Sequence, residues 1–114
     1  METSDKYAVQ ILSEAANDMT EAVSQFVMLG SVSGAVKMKE AFFHAMEQLS
    51  IFPYSGITAP DARLAKMNFR MLIIRNYLML YRIFDDEKKV IIYRIFNGKT
   101  NYPTILKRLN DELK

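Results

Sequence analysis

The first half of the chain has a short strand-like start followed by two helical repeats of apolar positions. Apolar residues alternate over residues 7–12, and Ser13 follows as a helix N-cap, which predicts a strand leading into a helix. From Glu14 the apolar positions recur every three to four residues, and the same period restarts at Met38 after the glycine- and serine-rich residues 30–34. Two consecutive amphipathic helices predict an antiparallel helical hairpin.

In the second half the apolar period falls from 3.6 to two. Three runs rich in β-branched and aromatic residues, 68–74, 77–84 and 89–96, are separated by short polar links and predict three antiparallel strands in a meander. Both faces of the middle strand are largely apolar, so one face must take the helices and the other needs a second cover. Pro103 opens a segment with one apolar stripe, which predicts a C-terminal helix. The predicted order is β-α-α-β-β-β-α, an α+β domain with a helical hairpin packed on a small antiparallel sheet.

Length and composition narrow the class of protein. The 114 residues fit one domain spanning 1–114, half of them apolar and a quarter charged, as in globular proteins. The absence of cysteine excludes disulfides, thiol nucleophiles and cysteine-based zinc sites, and it favours a cytoplasmic location. The longest apolar runs end at Arg75 and Arg82, well short of the ~18 residues of a membrane span, so we expect no membrane partner.

Charge is distributed unevenly along the chain. Residues 1–61 hold three Lys and Arg against eight Asp and Glu, whereas residues 62–114 hold twelve against five. The net charge of +2 therefore divides into −5 and +7. Such asymmetry is typical of a protein that presents a cationic face to a polyanion, unless folding intermixes the two halves.

Most catalytic constellations are excluded by what the sequence lacks. His44 is the only imidazole, and it shares the polar side of the second helix with Lys37 and Glu47, so we expect a surface role and no metal site. A Ser-His-Asp triad would need His44 to leave that side, and glycine-rich phosphate-binding patterns are absent. We expect no cofactor.

After these exclusions, one candidate for catalysis or binding is left. It is a set of basic and aromatic residues on the predicted strands and their flanks. Arginine can hold a phosphate in its fixed fork, and a tyrosine can stack on a base or exchange a proton with a ribose hydroxyl. Those are the parts of a metal-free ribonuclease, although the same residues also suit an ordinary sheet surface with aromatic packing. The set is Lys66, Arg70, Arg75, Tyr77, Tyr81, Arg82, Arg94, Lys99 and Tyr102.

Three ordered motifs carry a family resemblance across nearly the whole chain. Residues 69–72 read F-R-M-L, residues 76–83 read N-Y-L-M-L-Y-R-I, and residues 90–106 follow V-x-I-x-R-I-x-x-G-K-x-N-Y-x-x-I-L. The ordered set resembles the RelE/ParE superfamily of type II toxin-antitoxin toxins, also known as plasmid-stabilisation proteins. The fold that this resemblance implies agrees with the order of elements derived above.

The resemblance implies a bacterial toxin with one of two targets. Some members resemble RelE and cut messenger RNA in the ribosome, and others resemble ParE and poison DNA gyrase. On the ribonuclease alternative, Arg70 and Tyr102 match catalytic positions and Lys99 is a candidate replacement cation. Lys66, Arg75, Arg82 and Arg94 are then candidates for binding the target. We expect Arg70, Lys99 and Tyr102 to converge on one concave wall.

Three departures from the ribonuclease pattern weaken that alternative. Leu78 and Thr100 stand where relatives carry arginine, and Asn97 stands where some relatives carry histidine. Each missing phosphate contact can cost about 2 to 4 kcal/mol of transition-state stabilisation. The sequence of the strand that begins at Asn76 resembles ParE-like members more than RelE-like members. ParE-like members need no nucleolytic residues. A binding module that keeps the fold without nuclease activity is a further alternative.

Whether the target is messenger RNA or DNA gyrase, the resemblance implies a cognate antitoxin that wraps the toxin and forms a hetero-oligomer with it. The apolar second face of the predicted sheet is a physical candidate for that contact, because large exposed apolar patches mark partners. We expect Leu78, Leu80 and Phe84 to bind the antitoxin.

Overall fold

The computed structural model describes residues 6–99 and 102–113 as a mixed sheet with helices on both faces. The strands are β1 (Ala8–Ile11), β2 (Ile57–Thr58), β3 (Phe69–Ile74), β4 (Tyr77–Phe84) and β5 (Lys89–Asn97). The helices are α1 (Ser13–Met28), α2 (Val32–Ile51), α3 (Ala62–Lys66) and α4 (Tyr102–Glu112), with a single 3₁₀ turn at Pro53–Ser55. The predicted α+β class and order are confirmed, with β2 and α3 added between the hairpin and the meander.

The sheet has five strands in the order β1-β5-β4-β3-β2. Strands β3, β4 and β5 form the predicted antiparallel meander, and β2 pairs antiparallel with β3. Strand β1 instead runs parallel to β5, with Val9 opposite Val90, so the purely antiparallel sheet expected from the sequence is wrong. A parallel pair needs a long connection, which the helical hairpin and the meander together supply.

One irregularity interrupts the pairing of β4 with β5. Leu80 lies opposite Arg94 and Tyr81 lies opposite Ile92, so Tyr93 is an extra residue in β5. This β-bulge shifts the alternation of the strand by one residue. Ile92 and Ile95 therefore face the same core although they are three residues apart.

Helices α1 and α2 cover one face of the sheet. Phe42, Met38 and Leu49 of α2 are fully buried against sheet residues that include Tyr77 and Tyr81. The rings of Phe42 and Tyr77 meet edge to face, with centroids 5.8 Å apart. This hairpin-side core buries the apolar stripes that the helical spacing predicted.

Helices α3 and α4 cover the opposite face. Leu64 of α3 and Leu106 of α4 pack with Phe69, Leu80 and Phe96 in a second-face core. The second cover that the two apolar faces of β4 demanded is therefore supplied by the chain itself.

A polar clasp joins α3 to α4. The Asp61 carboxylate accepts hydrogen bonds from the backbone N–H groups of Arg63 and Leu64, both at 3.0 Å, and so caps α3. It also accepts from the Asn110 side chain at 3.0 and 3.1 Å. The Arg63 guanidinium donates to the Asn110 carbonyl at 2.7 Å, to the Asn110 side-chain oxygen, and to the Leu113 carbonyl at 3.3 Å. These contacts satisfy carbonyls at the C-terminal end of α4 that its own backbone leaves unpaired.

The clasp predicts an acid-sensitive contribution to stability. The hydrogen bond from Leu64 N–H, with those from Asn110 and Arg63, lowers the pKa of Asp61 from its ordinary value of 3.8. A carboxyl with a lowered pKa stabilises the fold above the unfolded value, and this stabilisation is lost as pH falls through the folded pKa. Asp61→Asn keeps an N-cap but cannot titrate. In urea unfolding from pH 5 to pH 3, we expect the free energy of unfolding to fall less steeply in Asp61→Asn than in the wild type.

The exposed residue Asp86, in the turn between β4 and β5, gives the matched control. Asp86→Asn should keep the wild-type pH dependence. Equal slopes for Asp61→Asn and the wild type would contradict a role of the clasp carboxylate in acid stability.

Candidate target-binding surface

Arg70 lies on β3 and its side chain holds the segment that follows α2. Its guanidinium donates to the Gly56 carbonyl through Nε at 3.1 Å and Nη2 at 2.6 Å, and to the Tyr54 carbonyl at 3.3 Å. It also lies 5.2 Å from the centroid of the Tyr54 ring and donates to the Thr58 hydroxyl at 3.3 Å. These contacts make Arg70 a structural clamp on residues 53–58.

The buried hydroxyl of Tyr81 anchors the same segment, residues 53–58. The Tyr81 hydroxyl donates to the Pro53 carbonyl at 2.7 Å and accepts from the Gly56 N–H at 3.0 Å. Burial raises the pKa of this phenol and keeps it protonated. A side chain at position 56 would collide with Tyr81, because an added Cβ would lie 2.6 Å from both the Tyr81 hydroxyl and the Met71 carbonyl.

Two further phenols extend this network to the β4–β5 turn. Tyr54 and Tyr7 donate to the two carboxylate oxygens of Asp85 at 2.5 and 2.8 Å. These hydrogen bonds, from Tyr54 first and Tyr7 second, lower the pKa of Asp85. The network joins the start of the chain, the end of α2 and the end of β4.

The structure does not bring Arg70 and Tyr102 together. Arg70 shares the alternation of Leu72 and Ile74, which face the hairpin-side core. Tyr102 begins α4 on the other side of the sheet, where its ring stacks on Phe96 with centroids 6.1 Å apart. The expected convergence of the three proposed catalytic residues on one wall is therefore wrong for this pair.

Lys99 lies apart from Arg70 as well. It is exposed just beyond the end of β5, where its backbone N–H donates to the Asn97 side chain at 2.8 Å. Thr100, which the sequence analysis named as a departure from the ribonuclease pattern, lies outside the described residues.

Two of the proposed target-binding arginines are engaged inside the fold. Arg94 forms an ion pair with Asp18 of α1 at 2.7 and 3.1 Å, and Asp18 also accepts from the Ile95 N–H at 2.9 Å. The hydrogen bond with Asp18 raises the pKa of Arg94. Arg82 donates to the Met67 carbonyl at 2.8 Å and lies 4.6 Å from the centroid of the Phe84 ring. Both therefore have structural contacts that the sequence prediction did not include.

Exposed cations lie at two ends of β3. Arg75 lies in the β3–β4 turn, and the Gly98 N–H donates to the Asn76 carbonyl at 2.7 Å, which places Lys99 beside that turn. We call Arg75 and Lys99 the cationic end. Lys66 is exposed at the end of α3, before β3 begins, and so lies at the other end of that strand.

Arg75 has a backbone conformation that is costly for a residue with a side chain. Its φ is +56°, in a two-residue link between strands where glycine is favoured. Such backbone strain in a side-chain-bearing residue is often found at functional sites.

The residues proposed to bind an antitoxin are mostly covered. Leu80 is fully buried in the second-face core, and Leu78 packs against the same core. Phe84 is half-buried between Arg82 and Lys89, which lie 4.6 and 5.5 Å from its ring centroid. Since α3 and α4 occupy this face, the expectation that it is open for a partner is wrong, and Leu80 has no access to one.

The outer side of the helical hairpin carries exposed apolar side chains that the sequence analysis did not predict. Val27 is 55% exposed although it follows the helical spacing of apolar positions in α1, and Met28 and Leu29 are each 83% exposed. The signal was present in the sequence, since α1 and α2 carry valine, methionine and phenylalanine on more than one face. An apolar stripe wider than the core requires indicates a second contact.

The described residues offer neither a metal centre nor a membrane segment. Residues 6–99 and 102–113 contain no group of three acidic or histidine side chains that could hold a metal ion. His44 is exposed, with Nδ1 4.0 Å from a carboxylate oxygen of Glu47. No helix in the same ranges has the length and apolarity needed to cross a bilayer.

Comparison with known proteins gives a family match and several structural neighbours. The family described as "ParE toxin of type II toxin-antitoxin system, parDE" matches residues 9–102. No curated protein sequence matches the chain. A chain from the chromosomal ParDE system of P. aeruginosa is 17% identical, with a TM-score of 0.67 over 84% of this chain and 100% of its own. A chain of the RelBE2 toxin-antitoxin complex of Mycobacterium tuberculosis is 19% identical, with a TM-score of 0.60 over 85% and 97%.

The clamp around residues 53–58 predicts a large stability loss from one hydroxyl group. Tyr81→Phe leaves the buried Pro53 carbonyl and Gly56 N–H without partners, so we expect the free energy of unfolding to fall by about 1 to 3 kcal/mol. Tyr93→Phe is the matched control, because the half-buried Tyr93 hydroxyl makes no hydrogen bond within the described residues. Urea unfolding followed by circular dichroism measures both, and equal losses would contradict the clamp.

Proposed function

The chain belongs to the ParE toxin family of type II toxin-antitoxin systems, and we propose that it arrests bacterial growth by binding DNA gyrase. We propose further that a cognate antitoxin neutralises it in a hetero-oligomeric complex. The observation that carries the choice of target is the separation of Arg70 and Tyr102 on opposite faces of the sheet.

The alternative target, messenger RNA on the ribosome, requires a compact catalytic group. A metal-free ribonuclease needs cations and a proton-transfer group around one phosphate. Arg70 is bound to the Gly56 carbonyl, and the ring of Tyr102 is stacked on Phe96. Leu78 packs into the second-face core where the ribonuclease relatives carry arginine. This arrangement favours a toxin that acts by binding.

The cationic end is our candidate for the target contact. Arg75 and Lys99 are exposed, lie beside each other and make no ion pair within the described residues. Gyrase works on DNA, and a cationic surface suits an enzyme-DNA complex because cations lower the repulsion around phosphates.

We expect expression of the chain alone in bacteria to arrest growth with the signs of gyrase poisoning. The purified chain should inhibit supercoiling and trap gyrase-DNA complexes, and primer extension on cellular transcripts should show no new cuts. Tyr102→Phe keeps the ring stack and removes only the hydroxyl, so its inhibitory concentration should stay within about twofold of the wild type. A ribonuclease would instead lose about 10²- to 10⁴-fold with its proton-transfer group.

Two outcomes of that experiment would reject the proposal. Cleaved transcripts with unaffected supercoiling would assign the ribosomal target. Normal growth at confirmed expression of the folded chain would favour the module that binds without poisoning.

Arg75→Gly tests whether the Arg75 side chain contacts the target, because the substitution should weaken inhibition without destabilising the fold. Glycine relieves the positive φ, so we expect the free energy of unfolding to stay the same or rise by up to about 1 kcal/mol. The inhibitory concentration against gyrase should nevertheless rise about five- to tenfold through loss of the cation. Lys88→Gly is the control, because Lys88 has a φ of +49° in the β4–β5 turn, away from the cationic end. Equal effects of the two variants on inhibition would exclude Arg75 from the contact.

A further inference from the structure

A small cleft lies beside the end of β5, on the edge that β1 leaves open. Strand β1 pairs only with residues 89–92, so from Tyr93 onwards β5 has no strand on that side within the described part of the chain. Helix α1 and Ile105 of α4 border a space of about 240 Å³ at this edge. We call it the β5 cleft. Its polar lining consists of Asp18, Glu21, Gln25, Tyr77, Arg94 and Asn97.

The cleft contains a buried phenol whose hydroxyl has no hydrogen-bond partner. Tyr77 is 8% exposed, and its ring packs edge to face on Phe42 in the hairpin-side core. Its hydroxyl makes no hydrogen bond within residues 6–99 and 102–113. Those residues hold no fully buried side-chain oxygen that lacks a partner, so the hydroxyl opens into the cleft that Tyr77 lines. A deeply placed hydroxyl of this kind is available to a bound group.

The two carboxylates of the lining differ in what they leave free. Asp18, Glu21 and Gln25 lie three and seven positions apart on α1, which places them along one face of the helix. The Asp18 carboxylate already accepts from the Arg94 guanidinium and from the Ile95 N–H. Glu21 is exposed, and its carboxylate makes no ion pair within the ranges that the structure describes. Since Asp18 and Arg94 cancel in charge, Glu21 gives the cleft a net negative charge.

This lining favours a cationic head group on a short apolar stem. Glu21 supplies the opposite charge, and the Tyr77 hydroxyl and the Gln25 amide supply oxygens that can accept N–H groups. Ala22 and Ile105 supply apolar contact for an alkyl stem. The volume lies below the roughly 300 to 1,000 Å³ of clefts that take drug-sized ligands, so the cleft suits a single side chain or a small amine.

The cationic end adjoins the cleft without lining it. Neither Arg75 nor Lys99 borders the space, although the Lys99 N–H donates to the Asn97 side chain, which does. Both cations are exposed, so solvent and salt screen them. An anion in the cleft would therefore meet the Glu21 carboxylate more closely than either cation.

We propose that the β5 cleft binds an alkylammonium or alkylguanidinium group, with Glu21 as its counter-charge and the Tyr77 hydroxyl as a buried hydrogen-bond acceptor. Two sources carry this chemistry, a free small amine and a lysine or arginine side chain of the target. The second source rests on the proposed function, whereas the first does not.

Titration of the isotope-labelled full-length chain with n-butylammonium and ethylguanidinium chloride tests the site. We expect saturable shifts of the backbone amide signals of Ala22, Ile95 and Asn97, with dissociation constants of about a millimolar because the ligands are so small. The stem alone, as n-butanol, should not saturate the same signals. Butyrate should bind at least about fivefold more weakly than n-butylammonium. Sodium chloride at equal ionic strength corrects for salt.

Two variants test the groups that hold the ligand. Glu21→Gln removes an exposed counter-charge and should raise the dissociation constant of n-butylammonium about three- to fivefold. Tyr77→Phe keeps the ring on Phe42, removes the hydroxyl and should raise it about two- to tenfold. Glu40→Gln and Tyr93→Phe are the matched controls, because they remove the same groups outside the cleft, and they should leave it unchanged. Thermal unfolding verifies that each variant is folded.

The source of the cationic group is distinguished by gyrase inhibition. A Glu21→Gln, Tyr77→Phe double variant whose inhibitory concentration rises at least about fivefold would assign the site to a side chain of the target. An inhibitory concentration equal to that of the wild type would assign it to a free small amine.

The titration also separates this site from the proposed function, since it uses the chain alone. Shifts that do not saturate with either cation, or butyrate that binds more tightly than n-butylammonium, would overturn the site and leave the toxin assignment standing. Equal effects of Glu21→Gln and Glu40→Gln would overturn it as well. A wild-type chain that binds n-butylammonium but does not inhibit gyrase would reject the proposed function and support the free amine.

Discussion

The architecture depends on the burial of β4 on both faces. Met79, Tyr81 and Ile83 face the hairpin-side core, while Leu80 belongs to the second-face core. A strand that is apolar on both sides is stable only when two layers cover it. The chain therefore needs α1 and α2 on one side and α3 and α4 on the other, and the remaining contacts fix these two layers to the sheet. The hydrogen bonds of the Tyr7, Tyr54 and Tyr81 hydroxyls hold the end of the hairpin layer in place. The polar clasp at Asp61 joins α4 to α3.

Much of this arrangement can be read from local pattern. The middle strand was predicted at its observed bounds, 77–84, because eight residues of β-forming type lie between two clear turn signals. The hairpin followed from two helical periods separated by glycine. Strand β2 and helix α3 were missed because two and five residues are too short to show a period. The parallel pairing of β1 with β5 was missed because it joins residues about 80 positions apart.

The candidate site was harder to predict than the fold, since it depends on which face each side chain takes. The alternation along β3 assigns Arg70 to the face of Leu72, but the position of Tyr102 depends on where α4 packs, and no local signal contains that information. The charge asymmetry was informative in part. The acidic half forms the hairpin layer together with β1 and β2, and the basic half forms β3, β4, β5, α3 and α4. The ion pair between Asp18 and Arg94 nevertheless joins the two halves and removes one cation from the proposed surface.

The bulge at Tyr93 gives β5 one residue more than regular pairing with β4 requires. Ile95 lies opposite Met79 in the hairpin-side core, and Phe96 lies opposite Leu78 in the second-face core. Deleting a single codon at Tyr93 would restore regular pairing and leave each of these side chains opposite its present partner and on its present face. The bulge is therefore a place where β5 can change in length by one residue without exchanging side chains between the two cores.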